Sequence, residues 1–309
     1  MYAKNRNKMK VAVTGAGGFI GTELLALLNK REDISIIALT RDISGREDYG
    51  RCEWRSTDYS SESLAAALDG SDIIIHLAGV RGTENDPEKF AANVGITENI
   101  LKAMVKCGAR RIVFASTMSV YNDDSLMPWT EDAPLKGRSC YGDSKADCER
   151  AIMEYAENHD ITYGIARIAQ VIGEGEKRRG MMNVFLDTAR DGGTIRVMGR
   201  SVLKKQYIYV KDLARVLAAL ALGSGQYYAD SNIIVNAGMA EAYSNLEVAQ
   251  IINEVYGNPT PIDYDDSYPE KGRPFLMDIS RLRNELGYEP LDLKDAVTAF
   301  RDDMNAAML

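Results

Sequence analysis

The chain has few of the residues that most often bind metals or form disulfide bonds. Its 309 residues include two histidines and four cysteines, and no two cysteines show C-x-x-C spacing. A metal site needs several such side chains at ligand spacing, so none is expected here. The cysteines are expected to be reduced thiols, as in a cytoplasmic protein.

Long apolar runs and net positive charge are also missing. No stretch approaches the roughly 18 apolar residues that span a bilayer, and the opening MYAKNRNKMK has charge but no apolar signal core. The formal net charge of -8 does not suit a nucleic-acid-binding protein. We therefore expect a cytoplasmic chain with neither a membrane nor a nucleic acid as its partner.

A glycine-rich turn near the start is the first positive signal. Residues 10–14 form an apolar strand pattern, glycines follow at positions 15, 18 and 21, and residues 23–28 continue as a helical pattern. Glycine lets the backbone approach a pyrophosphate, and the N–H groups at the following helix start favour negative charge. The triplet alone would also fit an ordinary turn, so its weight comes from its place in the chain.

Apolar strand-like runs alternate with helical patterns through the first half of the chain. Strands are predicted at residues 10–14, 34–40, 52–56, 72–77, 111–116 and 161–168. Repeated strand–helix–strand units predict a parallel sheet covered by helices on both faces. The predicted class is α/β, a Rossmann-type doubly wound sheet with a smaller C-terminal α/β lobe that binds the substrate.

The texture of the sequence changes after residue 172. A polar loop at 173–180 precedes a helical pattern at 181–190, strand patterns return at 206–210 and 232–236, and residues from 244 onward are helical. We therefore predict a dinucleotide-binding domain formed by residues 1–171 and 206–238. The substrate lobe would comprise residues 172–205 and 239–309.

Tyr141 and Lys145 lie four residues apart in the segment YGDSK. In a helix this spacing puts both side chains on one face. A tyrosine with a pKa of about 10 needs roughly 4 kcal/mol of help to act as an acid/base near pH 7. One lysine about 4 Å away supplies roughly that amount at an effective dielectric near 20. The pair predicts a proton-transfer site.

Several motifs in order resemble the extended short-chain dehydrogenase/reductase family, in its nucleotide-sugar epimerase, dehydratase and reductase branch. The resemblance covers nearly all of the chain after Lys10. It rests on TGAGGFIG, HLAG, FASTMSVY, YGDSK, IYVKD, GRP and LGYEP, in that order. Each motif is weak by itself, and their order makes the combined signal strong.

The resemblance implies a catalytic set of Thr117, Tyr141 and Lys145. Thr117 would hydrogen-bond the reacting sugar oxygen, Tyr141 would exchange the proton, and Lys145 would orient the nicotinamide ribose and lower the pKa of the tyrosine. Family dehydratases follow the threonine with Asp and Glu, whereas this chain has Met118 and Ser119. A 4,6-dehydratase is therefore not expected.

The same resemblance implies a nicotinamide dinucleotide, NAD or NADP. The residues expected to contact it are Gly15, Gly18, Phe19, Ile20, Arg41, Asp58, Leu77, Ala78, Gly79, Arg81, Asn93, Tyr141 and Lys145. An NAD site commonly has an acidic residue about 20 positions after the glycine turn. Here Thr40 and Arg41 occupy that place, which favours the 2′-phosphate of NADP, although Asp42 is adjacent.

Two of these positions also have plainer interpretations. Asp58 matches an adenine-contacting aspartate, but an acidic turn residue fits the same position. Asn93 could bend its helix by local hydrogen bonding, and for this residue a structural role is favoured.

The substrate contacts implied by the resemblance are Thr117, Met118, Gln170, Lys205 and Arg273. Lys205 and Arg273 would hold the diphosphate of a nucleoside-diphosphate sugar, with lysine giving a point charge in place of a bidentate fork. Gln170 replaces an asparagine that is usual in the family.

Three functions remain open. The first is a nucleotide-sugar 4-epimerase that oxidises C4, rotates the keto sugar and returns the hydride to its other face. The second is an NADPH-dependent 4-keto reductase acting on a deoxysugar nucleotide. The third is a silent cofactor-sensing module, which the retained Thr117, Tyr141 and Lys145 disfavour. The helical patterns around residues 88–107 and 141–158 resemble those that form a homodimer interface in the family.

Overall fold

A computed structural model describes residues 8–46, 50–177, 180–224, 227–269 and 272–307. Its strands are β1 Met9–Thr14, β2 Ile34–Thr40, β3 Cys52–Ser56, β4 Ile73–His76, β5 Arg111–Ala115, β6 Thr162–Ile168, β7 Gln170–Ile172, β8 Arg196–Met198, β9 Lys205–Tyr209, β10 Ile233–Ala237, β11 Ala242–Tyr243 and β12 Asp263–Asp265. Its α-helices are α1 Phe19–Leu28, α2 Ser61–Ala67, α3 Pro87–Cys107, α4 Cys140–Asn158, α5 Met181–Arg190, α6 Val210–Leu222, α7 Asn245–Tyr256, α8 Ser280–Asn284 and α9 Leu293–Ala307.

The main sheet has the order β10-β6-β5-β4-β1-β2-β3, and every neighbouring pair is parallel. One face packs against α1 and α6 and the other against α2, α3 and α4. Its inner strands are buried along most of their length, as expected of a sheet covered on both faces. The predicted doubly wound α/β class is confirmed.

A second lobe surrounds its own apolar cluster. Helices α5, α7 and α9 pack there with residues of β7, β8 and β9. Strands β7, β9 and β11 form a three-stranded sheet, and β8 pairs with β12. Within the segment 206–238, β9 thus belongs to the small sheet, whereas α6 and β10 lie against and within the main sheet. The division of the chain into two domains stays a prediction.

Local sequence accounts for the helix boundaries nearest the carboxyl edge of the sheet. α3 begins after Asp86, whose side chain accepts from the N–H of Lys89, and ends at Gly108 in the left-handed conformation. α4 begins after Ser139, whose hydroxyl accepts from the N–H of Gly142. The cap at Ser139 sets the start of α4, and Lys145 in this helix lies over the ring of Phe114 near the end of β5.

The predicted elements match the observed ones closely. The strands expected at 34–40 and 52–56 and the helix at 181–190 have the predicted bounds, and the other predicted strands differ by one residue at one or both ends. The polar loop expected at 173–180 lies within the described residues except for 178 and 179. Across the described chain, no helix combines the length and the apolarity needed to cross a membrane.

Candidate active site

A cavity of about 530 Å³ opens at the carboxyl ends of the main-sheet strands, where the second lobe meets them. Such an edge is the usual ligand site of open α/β sheets. Nine residues predicted for the site line it: Ile20, Leu77, Gly79, Arg81, Thr117, Met118, Tyr141, Lys145 and Gln170. The cavity therefore brings together predicted catalytic, cofactor and substrate residues from separate parts of the sequence.

Thr117 and Tyr141 meet on one wall of this cavity. Thr117 follows the end of β5 and caps a short 3₁₀ turn at Met118–Val120, where its hydroxyl accepts from the N–H of Ser119 at 3.2 Å. Tyr141 lies in the first turn of α4, its ring packs on Phe90 with centroids 5.8 Å apart, and its hydroxyl hydrogen-bonds with Thr117. The two hydroxyls predicted to handle the sugar oxygen are thus adjacent.

The pKa of Tyr141 is governed mainly by burial in this structure. Burial raises the pKa of Tyr141 to about 12, while the charge of Arg81 and the hydrogen bond with Thr117 act in the opposite direction. Removal of the phenol from water therefore outweighs these two favourable interactions. The lowering of this pKa by Lys145 stays a prediction.

Lys145 is held in an almost completely buried position, at 5% exposure. Its ammonium nitrogen lies 4.1 Å from the centroid of the Phe114 ring, a cation–π contact. Burial lowers the pKa of Lys145 to about 8, while the charges of Cys148 and Glu149 act to raise it. A cation so close to neutrality can change its protonation state during a reaction.

The glycine turn between β1 and α1 leaves little room for a side chain larger than glycine. Gly15 has φ +68°, and a Cβ there would come within 2.8 Å of the backbone nitrogen of Ala78. Gly18 at the N-cap of α1 provides no side-chain cap for the first N–H groups of that helix. A helix start with uncapped N–H groups beside a close-approach turn fits a pyrophosphate.

A buried hydrogen-bond chain supports this turn. The Thr14 hydroxyl accepts from the N–H groups of Leu77 and Ala78, both at 3.2 Å, and contacts His76 Nδ1 at 2.9 Å. His76 Nε2 in turn contacts the Thr97 hydroxyl at 3.2 Å. Burial lowers the pKa of His76 to about 3, so the ring is neutral at physiological pH. Thr14 therefore holds the backbone that follows β4, and His76 links Thr14 to Thr97.

Asn93 and Arg81 shape that same loop in different ways. The Asn93 side chain accepts from the N–H of Val80 at 2.6 Å and donates to the carbonyl of Val80 at 3.1 Å, so its amide bonds lie outside its own helix. Arg81 reaches across the cavity to Glu176 with contacts of 2.9 and 3.1 Å. Asn93 therefore fixes the backbone of the loop at Val80, and Arg81 connects the same loop to the segment after β7.

The two predicted adenosine contacts lie outside the cavity lining. Asp58 is exposed, and its carboxylate accepts from the N–H of Ser60 at 2.8 Å. Hydrogen bonds with the side chain and the backbone of Ser60 lower the pKa of Asp58. Arg41 is exposed at the end of β2, next to Asp42, whose carboxylate accepts from the N–H of Ser44 at 2.8 Å. Asp58 behaves as a turn residue in this structure, and its adenine contact stays a prediction.

The predicted phosphate-binding residues also lie outside the cavity lining. Arg273 donates to the Asp124 carboxylate at 2.7 and 3.0 Å and to the Asn122 side chain at 3.0 Å. Lys205 begins β9 and forms an isolated bridge with Phe275. Lys205 thus lies beside the segment that carries Arg273, and Arg273 is already paired with a carboxylate.

A comparison with protein families assigns the chain. Residues 11–233 match the model of the NAD dependent epimerase/dehydratase family. The chain belongs to this family. The motifs that carried the resemblance therefore identified it correctly, and a nicotinamide dinucleotide is the cofactor type that the glycine turn fits.

Relatives within the family are distant but extend along the whole chain. An uncharacterised UDP-glucose epimerase of Bacillus subtilis is 26% identical, with 94% of this chain and 96% of that protein covered. UDP-glucuronic acid decarboxylase 6 of Arabidopsis thaliana is 27% identical, with 96% and 89% covered. The crystal structure of UDP-N-acetylglucosamine 4-epimerase from Bacillus cereus is 28% identical, with 96% and 97% covered and a TM-score of 0.84.

Several residues that line the cavity were not predicted from the sequence. Asn183 and Phe300 line the cavity from α5 and α9, and Glu176 lines it from the segment after β7. These residues carry no local motif, so nothing short of the tertiary structure could place them. Among the described residues, no three His, Cys, Asp or Glu side chains group together as a metal site would require.

Proposed function

We propose that this chain is an NAD(P)-dependent nucleotide-sugar 4-epimerase. The observation that carries the proposal is the convergence of Thr117, Tyr141 and Lys145 on one cavity next to the glycine turn. Family membership and the 28% identical UDP-N-acetylglucosamine 4-epimerase support it. Met118 and Ser119 supply no carboxylate acid/base pair, which argues against elimination of water.

The cofactor would lie against Gly15, Gly18 and the start of α1, and would extend along the loop at 77–81. Bound there, it supplies the acceptor and donor of the hydride. The protein must hold the sugar C4 next to it and must move the proton of the C4 hydroxyl. Thr117 would orient that oxygen, and the hydrogen bond between its hydroxyl and that of Tyr141 supports this role.

Proton removal requires the phenolate form of Tyr141. Bringing its pKa from about 12 to 7 needs on the order of 7 kcal/mol. A single ammonium about 4 Å away supplies roughly 4 kcal/mol at an effective dielectric of 20. We therefore assign Arg81, whose charge already lowers this pKa, as a second cation that acts with Lys145.

The direct test is turnover of a defined panel. Purified protein is incubated with UDP-glucose, UDP-N-acetylglucosamine and CDP- and dTDP-hexoses without added cofactor, and the products are analysed for inversion at C4. An epimerase gives the C4 epimer of at least one sugar. The absence of any inverted product across the panel would remove the proposal.

Thr117→Val tests the assigned role of the threonine. The change keeps the shape of the side chain but removes its hydroxyl, so kcat should fall by about 10- to 100-fold while KM changes little. Thr22→Val is a control, because the Thr22 hydroxyl bonds only to the backbone of Gly18 among the described contacts. Equal kcat in the two variants would contradict this role.

The exposed Arg41 supports an NADPH-dependent 4-keto reductase as a second candidate function. An exposed cation at the end of β2 suits NADP, and a reductase exchanges its cofactor at each turnover, whereas an epimerase can retain it. The nucleotide that copurifies with the protein discriminates between the two. Tightly retained NAD with no oxidation of NADPH by keto sugars would exclude the reductase.

We also propose a cytoplasmic homodimer formed through α3 and α4. These helices pack side by side on one face of the sheet, and Val94, Val105 and Met153 on them keep part of their apolar surface exposed. Sedimentation at micromolar concentration is the measurement. A monomer would contradict the dimer but would leave the enzymatic proposal intact.

A further inference from the structure

A buried ion pair lies directly behind the wall that carries Thr117, Tyr141 and Lys145. Its members are Glu149 of α4 and Arg167 of β6, whose side chains are 0% and 2% exposed. Arg167 Nη2 and Nε donate to Glu149 Oε2 at 2.9 and 3.1 Å. Neither residue lines the cavity, so the pair cannot serve as a direct contact to a ligand in this structure.

Glu149 continues the reactive face of α4 by one more turn. Tyr141, Lys145 and Glu149 are spaced four residues apart, so they lie along one side of the helix. The carboxylate of Glu149 also accepts a hydrogen bond from the Ser116 hydroxyl. Because Ser116 immediately precedes Thr117, one side chain of α4 is tied to the strand end that bears the threonine.

Arg167 is itself fixed from several directions. Its Nη1 donates to the Tyr121 hydroxyl at 2.8 Å and to the Glu131 carbonyl at 2.7 Å. The Tyr121 hydroxyl donates to Asn236 Oδ1 at 2.7 Å. Burial by itself would lower the pKa of Arg167, but the charges of Glu149 and Tyr121 and the hydrogen bonds with both together outweigh it, and the net shift is upward. The guanidinium is therefore a permanent cation behind the site.

We propose that Glu149 is a positioning residue, which holds the strand end carrying Thr117 against the helix face carrying Tyr141 and Lys145 through Ser116. Arg167 fixes the carboxylate, and the carboxylate in turn neutralises the guanidinium. The inference deepens the proposed function and rests on it, since it concerns how the same three catalytic side chains are kept in register.

Charge balance makes the arrangement testable at Lys145. The titratable groups around this ammonium are Tyr141, Cys148 and Glu149 on α4 and His76 from β4, and Arg167 lies behind Glu149. His76 is neutral at physiological pH, so Glu149 is the anion among them. Loss of its charge would leave Arg167 uncompensated and would favour the neutral form of Lys145.

Three variants separate the effect of the hydrogen bond between Ser116 and Glu149 from the effect of the Glu149 charge. Ser116→Ala breaks the bond between Glu149 and the strand end but keeps the ion pair. Glu149→Gln keeps a similar shape but leaves Arg167 unpaired, and Glu149→Gln combined with Arg167→Met removes both charges. Tyr227→Phe is the matched control, because its hydroxyl bonds to the buried Arg111 at the opposite end of β5.

Two readouts are expected to move. Ser116→Ala should lower kcat by about fivefold with KM within about twofold, since only the placement of Thr117 changes. Glu149→Gln should lower kcat by about tenfold or more and move the titration midpoint of the Lys145 13Cε NMR signal down by about one pH unit. The double variant should return that midpoint to the wild-type value, and Ser116→Ala and Tyr227→Phe should leave it unchanged.

The outcomes distinguish this inference from the proposed function. If Ser116→Ala and Glu149→Gln, like Tyr227→Phe, lose stability but retain wild-type kcat and midpoint, the pair is structural and the positioning role is wrong. If the wild-type protein converts no nucleotide sugar, the proposed function fails, and the Lys145 midpoint in Glu149→Gln still decides the electrostatic part. Should Glu149→Gln not fold, the kcat of Ser116→Ala decides the positioning role, and a wild-type kcat in that variant overturns it.

Discussion

Two cations expected in the site, Lys145 and Arg273, are built in opposite ways. Lys145 is buried on the Phe114 ring, and burial lowers its pKa to about 8. Arg273 is about half exposed and its charge is balanced by Asp124 at 2.7 Å. The difference agrees with the two predicted roles: burial gives a reactive cation an adjustable protonation state, while an exposed binding cation can exchange its protein partner for a ligand.

We expect turnover to be more sensitive to small changes around Tyr141 and Lys145 than to changes around Arg273. Tyr141→Phe keeps the ring on Phe90 and removes only the hydroxyl, so turnover should fall by about 10²- to 10⁴-fold. Cofactor affinity and thermal stability should stay close to those of the wild type. Tyr155→Phe is the control on the same helix, where the ring stacks on His159 with centroids 4.0 Å apart. Near-normal turnover in Tyr141→Phe would overturn the proton-transfer role.

Burial of Lys145 should appear in the pH dependence of stability. Its pKa is about 8 in the folded chain and 10.5 as a free side chain, so between these values the unfolded state binds more protons. Stability contributed by this group therefore rises with pH through that window, by on the order of 3 kcal/mol in all. Relative to Lys145→Met, the wild type should gain free energy of unfolding between pH 8 and 10.5, as measured by urea denaturation.

Lys102→Met is the control for this measurement, because Lys102 is exposed on α3. Its stability curve should run parallel to that of the wild type. A parallel curve for Lys145→Met as well would mean that Lys145 is not desolvated in solution.

Changes around Arg273 should have smaller effects, and these effects should appear in KM. Asp124→Asn removes the charge that balances Arg273, so the guanidinium becomes available to a phosphate. We expect KM for the nucleotide sugar to fall by about 3- to 10-fold at low ionic strength, with the difference shrinking as salt is added. Asp132→Asn is the control, since Asp132 pairs with Arg281 at 3.3 Å. A rise in KM would show that Asp124 orients Arg273 for the ligand.

The smallest expected effect concerns the cofactor. Arg41 is exposed, and an exposed charge contributes about 1 kcal/mol or less. Arg41→Ala should lower the affinity for NADP relative to NAD by about threefold, as measured by titration calorimetry with both dinucleotides. Arg31→Ala, which removes the partner of Asp33, should leave the ratio unchanged. An unchanged ratio in Arg41→Ala would remove the NADP preference.

Some features followed from the sequence alone because they depend on local chemistry. The glycine turn, the alternation of strands and helices and the spacing of Tyr141 and Lys145 each arise from residues close together in the chain, so pattern and motif sufficed. The fold class was reached from these patterns. The family and the set of Thr117, Tyr141 and Lys145 came from the resemblance that the ordered motifs carry.

Tertiary structure decided what depends on burial and on distant partners. The pKa of Tyr141 is raised because the folded chain buries its phenol away from water. The pairings of Arg273 with Asp124 and Arg81 with Glu176 join positions 149 and 95 residues apart. Sequence showed which groups could carry charge, but only the folded chain fixes which charges meet and how much water surrounds them, and these two quantities set the chemistry of the site.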